Sequence, residues 1–316
     1  MSKIFETLSK GGGEIADAIR PLVDGGHEAA PPAPAGAEAA ESPISLTNQV
    51  LDGLAPSTEP APAQIRTLSL HVPAPSPLLP FEDDQWRASE QYRVLRTKIV
   101  QHPKQPRVMV ISSAASGDGK SVSAINLAAT LSLKSEARVL LVDADFRKSA
   151  IHVQLGLPAT PGLADLLRGA CSPEEALVNT RELPNLCVLC AGTPPVNPVE
   201  LLDSSHWPAL CVKLRNMFRY IVVDSPPVAA VADFDLIQAA CDGVILVVRP
   251  DHTDRPLLQR SLEIVAKGKL LGVLLNCVPD WSLAKDSSAD YYYYSKGRYS
   301  KDSAPHKADP PAPETR

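Results

Sequence analysis

An amine, a hydroxyl and three carboxylates stand at places in this chain where they could act together on a phosphate: Lys120, Ser121, Asp143, Asp145 and Asp224. Lys120 and Ser121 close the run SSAASGDGKS, residues 112–121. Gly117 and Gly119 lack a Cβ, so the backbone there can take positive φ and lay its N–H groups against an anion. Lys120 would reach the outer phosphates of a nucleotide, and Ser121 would give Mg²⁺ a hard oxygen ligand. The nucleotide cradle then spans Ser116, Gly117, Asp118, Gly119, Lys120, Ser121 and Val122. Asp143 and Asp224 complete an oxygen set for the metal with Ser121. Asp145 is left beside the terminal phosphate, where it can accept a proton from an attacking hydroxyl. Lys120, Asp143 and Asp145 are therefore the expected catalytic residues.

These residues need elements that bring them to one rim. The apolar run 108–111 leads into the glycine loop, and the apolar stretch SVSAINLAATLSL after it predicts a buried helix whose N-terminus faces the phosphates. Asp143 and Asp224 each end an apolar strand, 139–142 and 220–223. In a parallel sheet ligands bind outside the carboxyl ends of the strands, so the loop and both acids should converge there. Further strands are expected at 186–189, 243–248 and 271–276, alternating with helical stretches, which predicts a doubly wound, mostly parallel α/β sheet of the P-loop NTPase kind. Each aspartate alone could equally be a turn or helix cap after a strand. Position 114, where the general G-x-x-x-x-G-K-[ST] pattern has glycine, is Ala114.

With 316 residues the chain can hold one such domain plus extensions, and its formal net charge of −5 gives no reason to expect nucleic-acid binding. It shows no long apolar run and no secretory leader, which makes a cytoplasmic protein the expectation. The six cysteines agree with a reducing compartment. Cys187 and Cys190 form a C-x-x-C inside LCVLC, but residues i and i+3 of a strand face opposite sides, so they read as core rather than as a metal or redox pair.

Four regions are expected. Residues 1–23 carry a short amphipathic helix, able to dock on a partner or a membrane surface and equally readable as a weakly ordered terminus. Residues 24–80 are an Ala/Pro-rich disordered linker in which Leu68, Leu70 and Val72 alternate as in a short strand. The nucleotide domain spans 81–282 and opens on a helix over 84–101, where Glu90, Arg93 and Arg96 share one flank. That flank is either a solvated charged face or a subunit contact. Residues 283–316 form a polar, disordered tail carrying Tyr291, Tyr292, Tyr293, Tyr294 and Tyr299. These tyrosines could also pack as an aromatic patch on the domain or a partner.

The chain resembles the bacterial tyrosine kinases of capsule and exopolysaccharide synthesis, which have a P-loop ATPase fold. The loop SSAASGDGKS is similar to the family's S-[ST]-x-x-P-G-E-G-K-S, with Ser116 for proline and Asp118 for glutamate. LLVDADFR matches its D-x-D-x-R motif at Asp143, Asp145 and Arg147, IVVDSPP matches its third motif at Asp224, and Glu90, Arg93 and Arg96 match its E-x-x-R-x-x-R assembly helix. The resemblance, covering about 82–281, implies an ATP- and Mg²⁺-dependent protein-tyrosine kinase that phosphorylates its own tyrosine cluster in trans. It also implies a homo-oligomer, such as a ring, with Glu90, Arg93, Arg96 and Arg147 at the subunit interface. The implied partners are a membrane polysaccharide co-polymerase acting as activator, which would hold the chain at the inner face of the plasma membrane, and a cognate tyrosine phosphatase. Two rivals share the fold: a partitioning-type ATPase switch, which carries an extra lysine where this chain has Ala115, and a nucleotide-binding scaffold without transfer activity.

Overall fold

The computed structural model describes residues 3–4, 64–74, 76–78, 86–133, 137–250 and 252–278. Among the described residues nine strands form one sheet: β1 (Lys3–Ile4), β2 (Arg66–Leu68), β3 (Val108–Ser113), β4 (Val139–Asp143), β5 (Leu177–Thr180), β6 (Leu186–Leu189), β7 (Tyr220–Asp224), β8 (Gly243–Val248) and β9 (Leu270–Leu275), in the spatial order β1-β9-β8-β3-β7-β4-β6-β5-β2. All neighbours are parallel except β1 with β9 and β5 with β6.

Up to their polar carboxyl ends the central strands are apolar, because helices cover both faces. Alternate residues of β3 and β4 divide between two cores. Val108, Val110, Leu140 and Val142 face one that includes Trp207, Phe218 and Phe234. Met109, Ile111, Val139 and Leu141 face the other, with Tyr92, Leu95 and Ile99 of the Trp86–Val100 helix and Ile125 and Leu127 of the Lys120–Ser132 helix. Cys187 and Cys190 fall into different cores, as expected of i and i+3 in a strand, and burial pushes both thiols up to about 12. Neither is placed for metal or redox work. Cys277, by contrast, is exposed.

Two domain boundaries read from the sequence change. The linker was expected to run to residue 80, yet residues 64–78 belong in large part to the domain. β2 pairs with β5, Leu68, Leu70 and Val72 pack on the second core, and Leu78 is buried. The His71 N–H donates to Leu155 O at 2.9 Å, and the Asn126 amide donates to Pro77 O at 3.1 Å. Alanine- and proline-rich composition hid this strap because so few apolar side chains fix it. Leu78→Ala is accordingly expected to cost about 2–5 kcal/mol of stability, measured by urea denaturation; a wild-type midpoint would mean that the strap is not part of the cooperative unit. At the other end, Lys3–Ile4 are extended and pair with Leu275 and Leu274 of β9, where the sequence predicts a helix. The remainder of that helix, the linker before residue 64, and the tail with Tyr291, Tyr292, Tyr293, Tyr294 and Tyr299 lie outside the described residues.

Candidate active site

The phosphate loop leaves β3 at Ser113 and enters the Lys120–Ser132 helix through Gly119, whose φ of 92° is open to few residues other than glycine. No side chain caps this helix, so its first N–H groups stay available to an anion, as the sequence predicts. Asp118 gives the loop its shape. It is fully buried, and its Oδ2 accepts the Ala115 N–H at 2.8 Å. Its Oδ1 accepts the Thr253 hydroxyl at 2.8 Å and lies 3.0 Å from His252 Nδ1, while its carbonyl accepts the Asn276 amide at 2.8 Å. The ends of β8 and β9 are thus fastened to the loop. Asp118→Ala would orphan several of these groups, and because hydrogen bonds to a charged group contribute about 1.5–3 kcal/mol each, nucleotide affinity should fall at least about tenfold. A fluorescent-nucleotide titration checks this; unchanged affinity would show that other contacts hold the loop.

The acids arrive from adjacent strands. β4 and β7 pair in register, Asp143 opposite Asp224, which puts both carboxylates at one rim beside the loop. Lys120 Nζ lies 2.7 Å from Asp145 Oδ2 and 3.8 Å from Asp224 Oδ1, and 3.3 Å from the Ser121 hydroxyl. The expected convergence of Lys120, Asp143, Asp145 and Asp224 is therefore present. A cavity of about 320 Å³ opens above Lys120 and Asp145, while Asp143 and Asp224 lie off its wall. Ser116, Gly117, Gly119, Lys120, Ser121 and Val122 all line it, together with Asp145, Arg147 and Pro227. Asp118 alone of the expected cradle is absent from its wall, because its side chain points into the fold; only its main chain remains for a phosphate.

The three aspartates differ in what they already hold. Asp143 Oδ2 accepts the N–H groups of Ala150 and Ile151 at 3.1 and 3.2 Å, and its Oδ1 accepts that of Asp145 at 3.2 Å, so this carboxylate organises the turn into the Ile151–Leu155 helix. Asp145 Oδ1 accepts from Arg147 and Lys148 N–H at 3.3 and 3.0 Å, leaving Oδ2 to Lys120. Asp224 is fully buried, yet neither of its oxygens accepts a hydrogen bond of good geometry. The nearby Lys120 and the Ser121 hydroxyl do favour its charged form.

Burial, then the Asp224 charge, pushes Asp143 up to about 7. Burial pushes Asp224 up to about 6 against the pull of Lys120. Burial would lower Lys120, but Asp224, Asp145 and Asp143 outweigh it and hold the amine above its ordinary value. A buried carboxylate whose oxygens accept no hydrogen bond of good geometry, beside a serine hydroxyl, is a donor set that fits a magnesium ion. Among the described residues no group of three or more His, Cys, Asp or Glu side chains forms a metal cage of its own. Magnesium completed by phosphate oxygens does not require one.

Sequence reasoning missed His252, Thr253 and Asn276 behind the loop, and Asp233. The Arg147 guanidinium makes two bonds of 2.9 Å to Asp233 within the same chain. Glu90 and Arg93 form an exposed ion pair along their helix, and Arg96 donates to Thr130 O at 3.4 Å.

The model of the CobQ/CobB/MinD/ParA nucleotide binding domain matches residues 109–292. The tyrosine-protein kinase YwqD of Bacillus subtilis is 36% identical over 208 residues, which cover 65% of this chain and 86% of that protein. The chain belongs to the bacterial tyrosine kinase family. Another member, the tyrosine-protein kinase CpsD of Streptococcus agalactiae, is 31% identical over 66% of this chain and 91% of its own length. The crystal structure of the chimerical protein CapA2B2 superposes with a TM-score of 0.61 at 30% identity, covering 68% of this chain and 94% of that one. Bacterial tyrosine kinase membership and the P-loop fold thus agree with the expectations drawn from SSAASGDGKS, LLVDADFR and IVVDSPP. No helix among the described residues is long and apolar enough to cross a membrane.

Proposed function

We propose that this protein is an ATP-dependent protein-tyrosine autokinase of exopolysaccharide or capsule synthesis, transferring phosphate in trans to Tyr291, Tyr292, Tyr293, Tyr294 and Tyr299 of a neighbouring copy. The observation that carries the reading is the position of Lys120, 2.7 Å from Asp145 and 3.8 Å from Asp224 at the floor of the phosphate loop. Backbone N–H groups of 116–122 would hold the phosphates, and Ser121 with Asp224 would hold Mg²⁺, with Asp143 shaping the turn beside them. Magnesium would supply positive charge against the phosphate oxygens.

Bound phosphates would compete with Asp145 Oδ2 for the Lys120 ammonium. Phosphates in the loop draw the amine toward them, and that releases Asp145 Oδ2. The freed oxygen then accepts the proton of the attacking tyrosyl hydroxyl, while Oδ1 stays fixed by the Arg147 and Lys148 N–H groups. Each transferred phosphate adds about −1.5 to −2 charge, so a modified tail is repelled by the acidic site and leaves it. The family relationship supports a membrane co-polymerase as activator at the inner face of the plasma membrane, a tyrosine phosphatase as antagonist, and assembly through Glu90, Arg93 and Arg96.

An anti-phosphotyrosine blot of the full-length chain with Mg-ATP and the activator's cytoplasmic segment tests this, run beside a variant with the five tyrosines changed to Phe. Signal in the wild type and none in the variant is expected. Signal that persists in the variant moves the acceptor elsewhere, and nucleotide turnover with no phosphotyrosine assigns an ATPase switch instead.

A further inference from the structure

The catalytic cavity has two walls that come from different strands. One is the 145–148 loop after β4, carrying Asp145, Arg147 and Lys148; the other is the 225–232 loop after β7, carrying Pro226, Pro227, Ala230 and Val231. The second wall is fixed to the phosphate-loop strand, since the Ser112 hydroxyl donates to Pro226 O at 2.7 Å and the Val228 N–H donates to Ser113 O at 2.9 Å. The first wall has its own tie to the second. Arg147 Nε and Nη2 each donate to Asp233 at 2.9 Å, and Asp233 opens the Asp233–Ala239 helix directly after the 225–232 loop. Asp233 is wholly buried, whereas the Arg147 side chain is 44% exposed at the mouth. A planar guanidinium held by both carboxylate oxygens is fixed in orientation as well as in distance.

The geometry points to Asp233 as a positioning residue for phosphoryl transfer: through Arg147 it braces the 145–148 loop across the mouth and so fixes Asp145 relative to the bound phosphates. The role rests on the kinase reading above and goes beyond it, because Asp233 lies outside the phosphate loop and both aspartate motifs. It also gives Arg147 a function inside its own subunit. The backbone N–H groups of Arg147 and Lys148 orient Asp145 Oδ1, so a shift of Arg147 is passed directly to the carboxylate. Arg147 and Asp233 bond each other and not the phosphate cradle, so the brace acts through the position of Asp145, on turnover more than on nucleotide affinity.

The test is Asp233→Asn in the full-length chain, which keeps the side chain's shape and removes the charge that holds Arg147. Two quantities are read: affinity for a fluorescent ATP analogue with Mg²⁺, and the initial rate of phosphotyrosine formation at saturating ATP. The rate should fall about tenfold or more, as displacements of about 1 Å in a catalytic group do, with affinity within about twofold of wild type. Arg147→Lys keeps the charge but not the paired contact and should lose rate in the same direction. The double variant should be no slower than Asp233→Asn alone, since both changes break one contact. A wild-type rate in Asp233→Asn, or a loss that appears as weaker nucleotide binding, overturns the proposal. Should Asp233→Asn not fold by circular dichroism, Arg147→Lys decides, because it leaves the buried acid with a cationic partner. If the wild type hydrolyses ATP but modifies no tyrosine, the kinase reading fails while the brace is still judged, on hydrolysis: the same split supports it and an unchanged rate overturns it.

Discussion

Lys120→Met is expected to reduce phosphotyrosine on the tail by about 10²–10³-fold or more, the range seen when one preorganised electrostatic contact to a transition state is removed. Methionine keeps most of the stem's volume, so the change is one of charge. In the folded chain the Lys120 amine is held among Asp143, Asp145 and Asp224, which together raise its pKa in spite of burial. Removing it would take away the cation proposed to meet the phosphates and to release Asp145 when they bind. The blot is read beside a thermal melt. A variant that still folds and transfers phosphate at a tenth of the wild-type rate would show that the loop backbone and metal suffice, and Lys120 would lose its assigned role.

Asp224→Asn should move activity and stability in opposite directions. Transfer is expected to fall about 100-fold, a loss comparable to removing one charged contact from a transition state. The nucleotide-free protein should become more stable near pH 8, because a fully buried carboxylate that accepts no good hydrogen bond, set opposite Asp143, is costly when ionised. An aspartate starts from a value of 3.8, and in the fold Asp224 is pushed to about 6 and Asp143 to about 7. Between these values the folded chain binds more protons than the unfolded one, so stability falls as pH rises from about 4 to about 7. The contribution is fully present below the lower value and lost above the upper one. Asp224→Asn removes one titration and also the charge that helps to raise Asp143, so its melting temperature in EDTA should decline less steeply over that window. Equal slopes for variant and wild type would mean that the Asp224 carboxyl does not titrate above its ordinary value in the folded chain.

The parts of the site that stood out in the sequence are those whose physics is local. Apolar runs ending in Asp143 and Asp224 announce buried parallel strands and their carboxyl ends, and Gly117 and Gly119 announce a loop that needs positive φ. From these the sheet, the loop and the rim follow. The contacts that stayed hidden join residues far apart in the chain. Arg147 meets Asp233 across 86 positions, and Asp118 meets His252 across 134. An acid in a phosphate loop looks like a ligand-facing group until the ends of β8 and β9 are placed behind it, and no periodicity announces that placement. β5 was missed for a related reason: LVNT is short and mixed, and it is held as a strand by antiparallel pairing with β6 and by β2 on its outer side. The strap at 64–78 is likewise fixed by a few tertiary contacts, which a compositional reading averages away.

Asn276 sits against Gly119 so closely that a methyl group there would come within 2.1 Å of its amide nitrogen. The last strand of the domain therefore ends on the nucleotide loop, and the C-terminal segment departs from the rim where phosphate is handled. From Val278 to Tyr291 the backbone can stretch no more than about 45 Å. Under the function proposed above, Tyr291 would stay within that distance of its own phosphate loop, which would favour targets close to the parent domain over distant ones.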